Sequence, residues 1–207
     1  MAFTALLDAC VLYPVGVRDT LLNLAEAGLY RLLWSEDILA ETERNILEDR
    51  PDLEPDDLGR TFDAMRRAFP DALVSGYGPL IAAMTNDPKD RHVLAAAVVG
   101  RADVIVTDNV EDFQEWSRAP YDIDVQTADE FCVYAFDLAP ERVVAVLDAQ
   151  ARKRRRPPTS MREMLDHLAM SLADFVAGVE EFLASTADDE PWLAGLELSG
   201  MRLGFRR

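Results

Sequence analysis

The sequence predicts an α/β fold with a central, mainly parallel sheet flanked by helices, followed by a helical C-terminal extension. Three observations carry this reading. Short, almost wholly apolar runs recur through the first 127 residues, as strands covered on both faces require. Longer stretches with helical spacing separate them, the alternation of a parallel sheet with crossover helices. After Ala128 the strand patterns cease and helical patterns follow.

Phe3 to Leu7 is the first such run. Arg18 to Ala27 carries Leu21, Leu22, Leu24 and Ala25 at helical spacing before Gly28 stops it. Tyr30 to Trp34 reads as a second strand. Ser35 then reads as an N-cap, with Glu36 and Asp37 suited to the positive end of the helix dipole. Ile38, Leu39, Thr42 and Ile46 form the inward face of that helix, and another runs from Pro55 to Phe69. Ala72 to Ser75 is a short third strand. Asp87 and Pro88 read as a capping residue with proline at the first helical position, opening a helix to Gly100. Val104 to Thr107 is a second fully buried strand pattern, and Ile123 to Gln126 an edge strand. Helical patterns then cover Asp129 to Ala135, Pro140 to Ala151 and Ser160 to Ala184; the last twenty residues are assigned no element.

The 207 residues divide into a domain over 1–127 and an extension over 128–207, with a basic linker at 152–156. Apolar residues make up 49%, enough for a buried core, and no apolar run approaches the ~20 residues of a membrane helix. The first residues lack a basic segment and a small-residue cleavage site, so no signal peptide is expected. Cys10 and Cys132 are too few for a disulfide framework, and with His92 and His167 they make no zinc-ligand spacing. A soluble protein of the reducing cytoplasm, without membrane contact, is expected. The 21 basic and 38 acidic side chains give 21 − 38 = −17. A chain this acidic needs bound cations or a local basic patch to hold nucleic acid. One patch exists: Arg152, Lys153, Arg154, Arg155 and Arg156 precede Pro157, a run that reads either as a solvated linker or as a contact to RNA or a protein partner.

Two buried strands end in aspartate, at Asp8 and Asp108. In open α/β sheets, ligands bind beyond the carboxyl ends of the strands, where strand order reverses. If the two strands are neighbours, both aspartates reach that crevice. Asp90, in the first turn of the intervening helix, can point the same way, and Glu41 flanks the apolar face of the earlier helix. Asp87 and Asp90 also read as helix-capping residues, Glu41 as a solvated side chain, and Asp108 with Asn109 as a turn. A carboxylate closing a buried strand is harder to explain structurally, because it needs a partner or a cation. Hard oxygen donors without matching His or Cys point to Mg²⁺ or Mn²⁺. The chemistry such a group serves is metal-assisted phosphodiester hydrolysis.

Four segments sharpen the reading: Leu6 to Tyr13, Trp34 to Glu41, Asp87 to Ala97 and Ile105 to Phe113. Their order and spacing over residues 3–127 resemble PIN-domain nucleases, and most closely the VapC-like toxin ribonucleases of bacterial type II toxin–antitoxin pairs, in a branch with a helical C-terminal extension. The resemblance implies a three-layer PIN-like fold and an endoribonuclease. It makes Asp8, Glu41 and Asp90 the metal-binding acids, with Asp87 in support. Asn109 stands where the family often has an acid, leaving Asp108, ranked first, or Asp112 for the fourth position. Cys10 stands where relatives often carry Ser, Thr or Asn. The implied partners are an RNA substrate (tRNA, rRNA or mRNA), a small cognate antitoxin and a second copy of the chain joined through the PIN domain. Two other readings share the motifs: a PIN nuclease of RNA processing or repair without an antitoxin, and an inactive module that binds RNA or a partner. A haloacid-dehalogenase-like phosphatase would need an aspartate two residues after Asp8, where Cys10 stands.

Overall fold

A computed structural model describes residues 3–153 and 159–186. Five parallel strands form one sheet in the order β3-β2-β1-β4-β5: β1 (Thr4–Leu7), β2 (Arg31–Ser35), β3 (Leu73–Val74), β4 (Val104–Val106) and β5 (Asp124–Gln126). Strands β1 and β4 are the runs read as doubly covered, and Ala5, Leu6, Leu7, Ile105 and Val106 are fully buried. The chain steps outward from β1 through β2 to β3, then returns to lay β4 on the other side of β1. That reversal sets the switch point between β1 and β4. Under right-handed crossovers it also assigns the helices after β1 and β2 to one face and those before β4 to the other.

On the first face lie α1 (Ala9–Leu12), α2 (Val15–Glu26), α3 (Glu36–Asp49) and α4 (Pro55–Ala68). Ser35 caps α3 as its sequence suggests, its hydroxyl accepting the Ile38 N–H at 3.2 Å. Helix α2 starts earlier than its apolar spacing indicates, because Arg18 is buried and its guanidinium donates to the Leu12 carbonyl at 2.9 Å, tying α2 to α1. The short α5 (Gly78–Ile81) leads to α6 (Arg91–Gly100), which packs across β1 to β4. Small side chains let α6 lie close: Ala95, Ala96 and Ala97 are fully buried, and a Cβ on Gly100 would stand 2.6 Å from Leu33 Cδ1 and 2.9 Å from Val74 Cγ2.

Helix α6 begins at Arg91, not after Asp87. The Asp87 carboxylate accepts the Lys89 N–H at 3.0 Å and its carbonyl accepts the Asp90 N–H at 3.0 Å, closing a turn over Pro88 and Lys89 before the helix starts. Asp87 therefore caps a turn, and Asp90 takes the N-cap position without a side-chain cap bond. After β4, a 3₁₀ turn (Val110–Asp112), the one-turn α7 (Glu115–Arg118) and a second 3₁₀ turn (Ala119–Tyr121) lead to β5.

The remaining described helices are α8 (Ala128–Leu138), α9 (Pro140–Lys153), α10 (Met161–Leu168) and α11 (Ala173–Thr186). Capping boxes start α8 at Thr127 and Glu130, and α10 at Ser160 and Glu163. The stretch from Ser160 to Ala184, read as one helical pattern, is two helices. A cap from outside the stretch accounts for the break: the Asp129 carboxylate accepts the Asp174 and Phe175 N–H groups at 3.0 and 2.9 Å. Helix α9 packs on α2 and α11 on α8, so the helical region shares one core with the sheet. Cys10 and Cys132 are free thiols, and among the described residues no helix is long and apolar enough to cross a membrane.

Candidate active site

The switch point holds the most deeply buried carboxylate among the described residues. Pairing of Leu7 with Val106 carries β1 directly into Asp8, whose N–H donates to the Val106 carbonyl at 3.0 Å. Asp8 is 3% exposed. Its Oδ1 accepts the Ala9 N–H at 2.7 Å, which starts α1, and its Oδ2 accepts the Thr107 hydroxyl at 2.7 Å. Burial raises the Asp8 carboxyl above the usual carboxylate range; the bonds from Thr107, Ala9 and Cys10, and the charge of His92, act against that. Cys10 donates to Asp8 Oδ2 at 3.5 Å, lies 3.2 Å from the Thr107 hydroxyl and accepts the Asp108 N–H at 3.3 Å. The thiol thus ties Asp8, Thr107 and the Asp108 backbone together. Burial and the Asp8 charge push it up to about 12, so it stays protonated at neutral pH and is no nucleophile.

Two helices bring further acids. Glu41, one turn into α3, is raised by burial and by Asp8, and its Oε2 lies 3.5 Å from His92 Nε2 of α6. Asp90, at the mouth of α6, is pushed up to about 7 by burial first, then by Asp8, Asp112, Asp87 and Glu41. These four carboxylates lie near enough to Asp90 to act on it electrostatically. Asp112 is among them because the Asp87 N–H donates to the Asp112 carbonyl at 3.1 Å, pinning the 3₁₀ turn after β4 against the Asp87–Asp90 turn. Beside them Asn86 is 2% exposed, and its amide oxygen and nitrogen have no hydrogen-bond partner among the described residues.

Asp108 stands apart. Register sets Thr107, not Asp108, beside Asp8; Asp108 is exposed, and its Oδ1 accepts the Ala128 N–H at 3.2 Å at the start of α8. It acts electrostatically on Cys10. The structure therefore gathers Asp8, Glu41, Asp87, Asp90 and Asp112, and directs Asp108 to a helix end. Thr107 and His92 lie within segments that carry the resemblance but are not among the site residues the sequence predicts. A hydroxyl closing a buried strand was the available signal for the first; the second had none.

Among the described residues no three His, Cys, Asp or Glu side chains converge tightly enough to share an ion directly. The donor set still suits a hydrated hard cation. Mg²⁺ keeps several waters and typically takes only one or two protein carboxylates, with phosphate oxygens supplying others. A carboxylate raised by burial and like charges, as Asp90 is, also gains from any cation that enters. In the basic run, Arg152 pairs with Asp148 at 2.9 Å and Lys153 with Glu26 at 3.4 Å, so both are engaged within the chain; Arg154, Arg155 and Arg156 lie outside the described residues.

A PIN domain family model matches residues 4–111, more than half of the sequence. The chain belongs to the PIN-domain family. A second model, the VapC50 C-terminal domain, matches residues 128–185, making this a VapC-like PIN protein with a C-terminal extension. Among curated proteins it is similar to "Putative ribonuclease VapC50" of Mycobacterium tuberculosis (strain ATCC 25618 / H37Rv). The two are 36% identical over 132 residues, which is 62% of this chain and 78% of that protein. No solved structure gives a significant match. The PIN match contains Asp8, Glu41, Asp90 and Asp108 and ends one residue before Asp112.

Proposed function

We propose that this protein is a metal-dependent endoribonuclease that hydrolyses RNA phosphodiester bonds as the toxin of a type II toxin–antitoxin pair. The observation that carries the chemistry is the group of carboxylates at the β1–β4 switch point, where burial and the neighbouring acids push Asp90 up to about 7. The observation that carries the substrate is the similarity, over 78% of its length, to a protein whose name designates a ribonuclease. Residues 1–127 hold the chemistry, and 128–207 form the extension.

In this reading Asp8, Glu41, Asp90 and Asp112 hold Mg²⁺ or Mn²⁺ through direct and water-mediated contacts, with Asp87 in support. When bound, the cation lowers the pKa of water and offsets charge on the scissile phosphate. The chain supplies the rest. Thr107 and the Ala9 N–H lock the Asp8 carboxylate in one orientation. Asp90, with a pKa near neutrality, exchanges its proton for a cation at little cost. The apolar floor of Leu6, Leu7 and Val106 excludes water from behind Asp8. We assign Asp112 the fourth acidic position and Asp108 the capping of α8. The formal charge of −17 suits a basic antitoxin, since opposite potentials speed association and favour the right partner. A cytoplasmic location follows from this role.

The test is incubation of total cellular RNA with the purified protein in Mg²⁺ or Mn²⁺, beside EDTA and Asp8→Asn controls, with mapping of new 5′ ends. Discrete cuts lost in both controls are expected. Folded, antitoxin-free protein that leaves every RNA intact in either metal would overturn the proposal. A small open reading frame beside the gene, encoding a protein that blocks the cuts, is expected for the toxin role.

A further inference from the structure

We propose that His92 is a positioning residue that holds the Glu41 carboxylate over the cleft, facing Asp8, so that Glu41 is in place before a divalent cation arrives. The inference rests on the metal-site reading above and concerns a residue that neither family match nor sequence motif singles out. Glu41 is in a position that would otherwise disperse. Its side chain is 32% exposed, sits on the flank of α3 and is raised by burial and then by the like charge of Asp8. A glutamate with three rotatable bonds, beside a buried carboxylate, gains both entropy and electrostatic relief by swinging into solvent.

His92 opposes that swing. It is the second residue of α6, and the next five, Val93 to Ala97, are fully buried, so its backbone is fixed to the sheet. The imidazole is 14% exposed and puts Nε2 at 3.5 Å from Glu41 Oε2. The contact joins α3 to α6, which enter the site from separate crossovers. Arg44, one turn along α3, also draws on Glu41, but from the same helix; His92 reaches across. A ring held by a packed helix is a suitable tether because little of its own freedom remains to be lost.

The test measures Mn²⁺ binding to the full-length protein by calorimetry, without RNA, in the wild type and in Asp8→Asn, Glu41→Gln, His92→Ala, His92→Gln and Glu41→Gln/His92→Ala variants. Residues that orient metal ligands typically contribute about 10–100-fold in affinity. His92→Ala is expected to weaken Mn²⁺ binding about tenfold with the melting temperature kept. His92→Gln, whose amide can still donate, is expected to recover most of the loss. In the Glu41→Gln background, His92→Ala is expected to change nothing further, because the residue acts through Glu41. Unchanged affinity in His92→Ala, or the same loss with and without Glu41, would overturn the positioning role while binding lost in Asp8→Asn would leave the metal site standing. A wild type that binds no Mn²⁺ would overturn both.

Discussion

Replacing Asp90 with Asn should make the metal-free protein more stable at alkaline pH, and the size of the gain follows from the site. In the folded chain the Asp90 carboxyl is raised from 3.8 to about 7. The fold therefore holds a proton that the unfolded chain has already released. Stability from this group is complete below about pH 4 and is lost as pH rises through 7. Were the whole shift to act on folding, the loss at pH 8 would be about 4 kcal/mol. Asp90 is half-buried and shares its repulsion with neighbours, so solvent and salt reduce the figure to ~1–3 kcal/mol. For a chain of this size ~2 kcal/mol is a shift of about 4–8 °C in Tm. Thermal melts of both proteins in EDTA, from pH 4.5 to 8.5, test this. Asp90→Asn should melt higher at pH 8, the difference should shrink steadily below pH 7 to about a quarter by pH 4.5, and added Mg²⁺ should stabilise only the wild type. Equal melting at pH 8, or a gain independent of pH, would refute the reasoning.

Asp112→Asn should reduce RNA cleavage about a hundredfold, whereas Asp108→Ala should leave cleavage within about threefold and cost ~1 kcal/mol through the start of α8; initial rates and melts of the two variants check this, and the opposite ranking would return the fourth position to Asp108. Thr107→Val removes the hydroxyl that donates to Asp8 at 2.7 Å; Asp8 should rise further, lowering the rate about tenfold at pH 7 and moving the acid limb of the pH–rate profile upward. Asp129→Ala strips the cap from α11; denaturant melts should show a loss of ~1–2 kcal/mol with cleavage per folded molecule unchanged.

What the sequence discloses and what it hides have different physical origins. Strands β1 and β4 are legible because burial on both faces leaves an unbroken apolar run, and Asp8 because an acid closing such a run is costly without a purpose. The residue beside Asp8 is not legible. Two strands ending in aspartate suggest that the aspartates meet, but pairing of Leu7 with Val106 sets Thr107 there and carries Asp108 toward α8. A one-residue difference in register decides this, and nothing local encodes it. The start of α6 is hidden because an aspartate before proline suits a turn as well as a helix. The division between α10 and α11 is hidden because its cap, Asp129, lies 45 residues from Asp174. His92 is hidden because its meaning comes from a helix that lies far away in sequence.

The central claim is that carboxylates at the switch point support attack by water on an RNA phosphate, with no nucleophile from the chain or from the RNA itself. The most direct measurement is cleavage of a defined RNA in ¹⁸O-labelled water with Mg²⁺ or Mn²⁺, followed by mass spectrometry of the product termini. The expected result is one solvent oxygen in a linear terminal phosphate, with no product from Asp8→Asn. A 2′,3′-cyclic phosphate without label, formed equally well in EDTA, would contradict it.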